Sequence, residues 1–181
     1  MRHVRRGGTT YSRVADPLWK DPLDPGYAAA SGGRLNPTGA FGVLYLNASR
    51  EVARANVARH FDDQPYGPED LAHGAGPILV AVAPPEAAYV DALSRRGLAS
   101  LGLPETYPRH RNGRLVSWST CQPLGLKAWE AGEPGIACRN AAMIAPAVGE
   151  ELALFDRGAM PGPTATHDFE AWFWNDLDSR A

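Results

Sequence analysis

Val43-Leu44-Tyr45-Leu46-Asn47-Ala48-Ser49-Arg50-Glu51-Val52-Ala53 is the stretch from which the fold is read. The four large side chains from Val43 to Leu46 form a compact apolar run, typical of a buried strand. Ser49 then offers an N-cap, and Glu51 stands in the first turn, where the helix dipole favours an acid. The pattern predicts a helix over 50–61 that stops before Pro65.

Further along, 78–83 reads as another buried strand and 89–92 as a third. The segment 94–101 reads as a short helix ended by Gly102 and Pro104, and 120–131 as a helix closed by Gly132. Short strands are predicted at 135–138 and 151–156. The first 40 residues show no sustained period, and Pro17, Pro22, Pro25, Gly32, Gly33, Pro37 and Gly39 make them read as a loop-rich lead-in. The aromatic tail around Trp172 and Trp174 is expected to pack onto the body. Strands and helices mix without a regular βα alternation, which predicts an α+β fold: one domain over 1–181, with central mixed or antiparallel sheets flanked by short helices.

The 181 residues suffice for a sizeable core, and 44% hydrophobic with 21% charged residues is ordinary for a globular chain. A net charge of −2 gives no electrostatic reason to expect nucleic acid or an anionic membrane as partner. Cys121 and Cys138 have no ligand cluster around them, so neither a disulfide scaffold nor a metal is expected. The basic start has no apolar stretch behind it, and no apolar run reaches the roughly 18 residues of a membrane span. The expected location is cytoplasmic. Neither a glycine-rich dinucleotide fingerprint nor a GxxxxGK phosphate loop occurs.

Candidate chemistry begins at Gly32-Gly33-Arg34-Leu35-Asn36-Pro37. Two glycines allow close backbone approach to a ligand, and an arginine on such a turn can grip a phosphate with its planar fork. The plainer alternative is a surface arginine paired with a carboxylate. Tyr45 either belongs to the core or stacks on a flat heterocycle at the mouth of a cleft. Asn56 falls within the inward stripe of Val52, Ala53 and Val57. Without partners a buried amide costs about 1–3 kcal/mol, so it either bonds nearby backbone or faces a polar cleft and bonds a ligand hydroxyl. His60, at the rim of that stripe, reads as structural. Cys138-Arg139-Asn140 ends a short strand in a polar pair, with Cys138 read as a small buried thiol.

Together these segments resemble the RES domain, the toxin half of RES–Xre toxin–antitoxin systems, over about residues 11–157. Tyr11-Ser12-Arg13-Val14 resembles its opening aromatic–x–Arg–Val segment. Gly33-Arg34-Leu35-Asn36-Pro37 matches its GGRWNP turn, with Leu35 in place of Trp. Val43 to Leu46 followed by Ala53 resembles its strand-and-helix block, and Gly135-Ile136 through Leu152-Ala153-Leu154-Phe155-Asp156 its closing segment. The family is named for an Arg, a Glu and a Ser. Arg34 supplies the first, while Asn56, eleven residues after Tyr45, stands at the Glu position and Asn140 at the Ser position.

The resemblance implies a fold similar to the ADP-ribosyltransferase toxins and cleavage of the nicotinamide–ribose bond of NAD⁺, without metal. It also implies neutralisation by a helical Xre-type antitoxin, with homo-oligomers or toxin–antitoxin hetero-oligomers. The implied site is Arg34, Tyr45, Asn56 and Asn140, with Arg13 assisting at the phosphates. Asn56 can bond ribose hydroxyls but carries no charge, so another acid (Glu51, Glu69 or Asp70) would have to compensate. The alternative is a catalytically impaired module that still holds NAD⁺ or a related nucleotide.

Overall fold

The computed structural model describes residues 1–143, 147–158 and 160–175. Strand β3 (Val43–Asn47) leads directly into helix α2 (Arg50–His60), with the Ser49 hydroxyl accepting from the Val52 N–H as the predicted cap. Around this pair the chain adds β1 (His3–Arg6), β2 (Tyr11–Ala15), α1 (Gly26–Ser31), β4 (Ile78–Val82) and β5 (Ala87–Ala92). Next come α3 (Arg95–Ser100), α4 (Trp118–Glu130), β6 (Gly135–Arg139), β7 (Glu150–Phe155) and β8 (Pro163–His167). All eight strands join one sheet in the order β1-β5-β6-β7-β3-β2-β4-β8. Only β5 and β6 run parallel, and α3 and α4 lie in the crossover that such a pair requires. The α+β architecture read from the sequence is the one observed.

The lead-in is the main correction. Residues 3–6 and 11–15 are strands, and β2 lies inside the sheet between β3 and β4. Its buried positions are Tyr11, Arg13 and Ala15. An arginine on the buried side breaks the apolar alternation that would announce such a strand. The edge strand β8 is also absent from the sequence reading, because its exposed Pro-Thr-Ala-Thr-His carries no apolar pattern.

The two faces of the sheet differ. On one, Tyr11, Leu44, Leu46, Val80, Val82, Tyr89, Leu152 and Leu154 form a continuous apolar cluster. The other carries the helices and has two clusters. One contains Val43, Leu98, Ile136, Cys138, Ala153 and Phe155; the second contains Ala53, Val57, Leu79, Phe169 and Trp172. The tail packs through Trp172, whose indole N–H donates to the Pro77 carbonyl at 2.8 Å, while Trp174 is half-exposed. Between these two clusters runs a row of non-apolar side chains, and the candidate site is built there.

Candidate functional site

Strand register creates this row. Asn47 of β3 pairs with Glu151 of β7, which pairs with Cys138 of β6, so all three project from the same face. The next row is Tyr45, Ala153 and Ile136. Helix α2 crosses above and lowers Asn56 onto the row. The Asn56 amide N–H₂ donates to Asn47 Oδ1 at 2.7 Å and to Glu151 Oε1 at 3.4 Å. Asn140, just past the end of β6, donates from Nδ2 to Asn56 Oδ1 at 3.0 Å and to Glu151 Oε2 at 3.1 Å. Its own Oδ1 accepts the N–H groups of Ala142 and Met143 at 2.8 and 3.0 Å, which locks the amide in place. Asn56 is therefore satisfied by side chains rather than by the backbone.

Glu151 is the acid that sequence reasoning missed. It retains some solvent exposure at the entrance of β7, yet protein surrounds it closely enough for burial to raise its pKa. The Asn140 amide, the positive charge of Arg34, the Asn56 amide and Arg59 each oppose that rise. The acids proposed from sequence do not reach the row. Glu51 is exposed on the first turn of α2, and Asp70 caps the backbone N–H of Gly67 in a short turn over 68–70 beside Glu69.

The turn bearing Arg34 is held from three sides. Asn36 is fully buried, donating to the Ala28 carbonyl at 2.7 Å and accepting the Tyr45 hydroxyl at 2.8 Å. The same hydroxyl accepts the Leu35 N–H at 2.9 Å. Helix α4 presses on the turn at Gly125, where a Cβ would lie 1.7 Å from the Leu35 carbonyl oxygen, and Gln122 donates to the Gly33 carbonyl. A Cβ on Gly33 would stand 2.6 Å from the Tyr45 hydroxyl, so the second glycine of the turn is required by Tyr45 itself. Both hydrogen-bonding roles of the Tyr45 hydroxyl are thus committed to the turn, and burial pushes its pKa up. Tyr45 positions Arg34; its half-buried ring, not its hydroxyl, is what a ligand can meet.

Among the described residues, Arg34 makes no direct hydrogen bond to a carboxylate. Its guanidinium donates to the Val116 carbonyl at 3.0 Å, beside a cavity of about 690 Å³ lined by His110, Arg111, Arg114, Leu115 and Ser117 among others. That cavity does not include the Asn56–Asn140–Glu151 floor; its lining residues Leu115 and Ser117 flank Val116, whose carbonyl accepts from Arg34. Two further arginines, absent from the sequence reading, act electrostatically here, Arg59 on Glu151 and Arg109 on Arg59. Arg59, in the last turn of α2, donates to the Ala141 carbonyl at 2.8 Å, and Arg109 to the Gly113 carbonyl at 3.0 Å. Burial and then the like charges of Arg34 and Arg109 lower the Arg59 pKa, so the fields of three cations from three segments overlap. Their partners are mostly neutral carbonyls, which leaves net positive charge for an anionic ligand. The signal in the sequence was faint: Arg59 lies one turn beyond Asn56 on the same helix.

Arg13 is not brought to the others. Alternation along β2 points it to the opposite face, 5% exposed, with its guanidinium over the Trp19 ring at 5.5 Å. Burial lowers its pKa, with Asp24 and Asp21 as the charges opposing this. Cys138 is buried as expected, and burial raises its thiol pKa well above the usual range. His60 is exposed on the surface. Among the described residues no group of three or more His, Cys, Asp or Glu is arranged to hold a metal, and no helix is long and apolar enough to cross a membrane.

The family model of the RES domain matches residues 4–174. A comparison with curated proteins finds no match. Among solved structures, the chain is similar to one in the crystal structure of the M. tuberculosis MbcT–MbcA toxin–antitoxin complex. The TM-score is 0.73 at 21% identity, covering 92% of this chain and 86% of the other.

Proposed function

The chain belongs to the RES domain family, and from that premise we propose that it binds NAD⁺ in the cleft between Arg34 and Asn56 and cleaves the nicotinamide–ribose bond. The observation that carries this reading is the hydrogen-bonded floor of Asn56, Asn140 and Glu151, on which the positive charges of Arg34 and Arg59 act. Guanidinium groups grip a diphosphate through charge-assisted forks, and the floor offers amide and carboxylate groups to ribose hydroxyls. Tyr45 holds the Arg34 turn and presents its ring edge to the ligand. The family's activity toward NAD⁺ supports the choice of ligand, which the geometry alone would leave as a phosphorylated nucleoside.

The partner is a helical antitoxin protein of the Xre type, which covers this cleft. The similarity to a chain of a toxin–antitoxin complex supports such a partner. A second reading has its own observation: the family's carboxylate and hydroxyl positions carry Asn56 and Asn140, which suits a module that holds NAD⁺ without turnover.

One experiment tests both. The purified chain is titrated with NAD⁺ by calorimetry, and nicotinamide release is followed by chromatography with and without inorganic phosphate. Arg34→Ala is expected to weaken binding about 10–100-fold, matching the roughly 1.5–3 kcal/mol of a hydrogen bond to a charged group. Binding with release supports cleavage; binding without release supports the holding module. No binding by the wild-type chain overturns the proposal.

A further inference from the structure

We propose that Glu151 is the working carboxylate of this site, acting on the ribose of NAD⁺ from strand β7 while Asn56 and Asn140 hold it in position. This rests on the reading of the cleft as an NAD⁺ site. Glu151 shares its row with Asn47 and Cys138 and lies beneath Asn56, on the helix-bearing face of the sheet. Each carboxylate oxygen receives a single amide N–H, Oε1 from Asn56 and Oε2 from Asn140. An ionised carboxylate offers about four lone-pair sites, so acceptor capacity remains for a ribose hydroxyl or an attacking water.

Both amides direct an N–H at Glu151, Asn56 while also donating to Asn47 Oδ1 and Asn140 while also donating to Asn56 Oδ1. Asn140 Oδ1 is tied to two backbone N–H groups, and Asn56 Oδ1 accepts from Asn140, so both side chains turn their N–H₂ groups toward Glu151. A carboxylate at position 56 would sit within hydrogen-bond range of Glu151, and two such groups cannot both ionise readily. Amides at 56 and 140 are the residues an acid at 151 requires. Arg34 and Arg59 provide the positive charge that opposes its burial.

In the step assigned to it, the bond between ribose C1′ and the nicotinamide nitrogen breaks, and both bonding electrons leave on that nitrogen. The positive charge of the pyridinium is thereby neutralised and reappears at the oxocarbenium of the ribose. Glu151 stabilises that cation. An oxygen lone pair of water or phosphate then bonds to C1′; where water attacks, Glu151 takes the proton released.

The test compares the full wild-type chain with Glu151→Gln, Asn56→Glu and the exchange variant Asn56→Glu/Glu151→Gln. Binding, nicotinamide release and thermal unfolding are measured on each. Glu151→Gln should keep its fold and bind NAD⁺ while releasing nicotinamide about 10²–10⁴-fold more slowly, and should lose the acid limb of the pH–rate profile. Asn56→Glu alone should slow release, and the exchange variant should regain part of it. Wild-type turnover that survives Glu151→Gln, or that Asn56→Glu raises, overturns the role of Glu151 and leaves the NAD⁺ reading standing. Wild-type binding without turnover also overturns it. Absence of wild-type binding removes both.

Discussion

Strands β3 and β7 carry two opposite surfaces on the same backbone. On one, Leu44, Leu46, Leu152 and Leu154 interlock in a continuous core. On the other, Val43 and Phe155 begin as core, but two rungs along the same ladder the pair is Asn47 and Glu151. The difference shows how a sheet places a site without spending a loop on it. A period of two sends neighbouring residues to separate environments, so a polar row costs the opposite face nothing in packing. What the row demands is hydrogen-bond partners, and Asn56 and Asn140 supply one to each oxygen of Glu151.

Breaking the apolar surface should have the largest effect. Leu152→Ala removes a fully buried side chain and is expected to lower unfolding free energy by about 2–5 kcal/mol in denaturant titration. NAD⁺ affinity of the remaining folded protein should change far less. An equal loss of both would show that the two faces are not separable.

The two arginines sharpen the same contrast. Arg34→Ala should weaken NAD⁺ binding as given above, whereas Arg13→Ala, on the far face, should lower the melting temperature and leave affinity unchanged by calorimetry. Tyr45→Phe comes next. It deprives Asn36 Oδ1 and the Leu35 N–H of their partner, at about 1–3 kcal/mol of stability, and should loosen the Arg34 turn enough to raise the Kd for NAD⁺. A Tyr45→Phe protein with wild-type stability and affinity would refute the assignment of its hydroxyl to the turn.

The smallest effect is in the pH dependence of stability. Because the folded state raises the Glu151 pKa, its contribution is fully present below the ordinary carboxylate range and is lost as pH rises through the raised value. Glu151→Gln removes that loss. Its melting temperature should equal or exceed that of the wild-type chain at neutral pH, with the advantage vanishing in acid.

Much of the framework was legible from residues alone. Ser49 capped α2 as predicted, and the strands around Val43, Ile78, Ile136 and Leu152 lie within a few residues of their expected positions, because apolar runs and caps are local signals. Strand β2 escaped, since its decisive buried residue is an arginine. Of the candidate site, Arg34, Tyr45, Asn56 and Asn140 were nominated from pattern and resemblance, and the structure brings Asn56 and Asn140 into hydrogen-bond contact and ties Tyr45 to the Arg34 turn. Glu51, Glu69 and Asp70 were named as acids that could compensate for Asn56, but no local pattern tells which strand lies beneath a helix.

The α+β class, the strand–cap–helix block and the arginine turn are thus all written in neighbours a few residues apart. Tertiary packing alone sends Arg13 to the far face and lays Glu151 beneath Asn56. Those facts depend on strand register and on the packing of α2 across β2 and β3. The hydrogen bond between Asn56 and Glu151 joins residues 95 positions apart in the chain, a separation over which no local pattern reports.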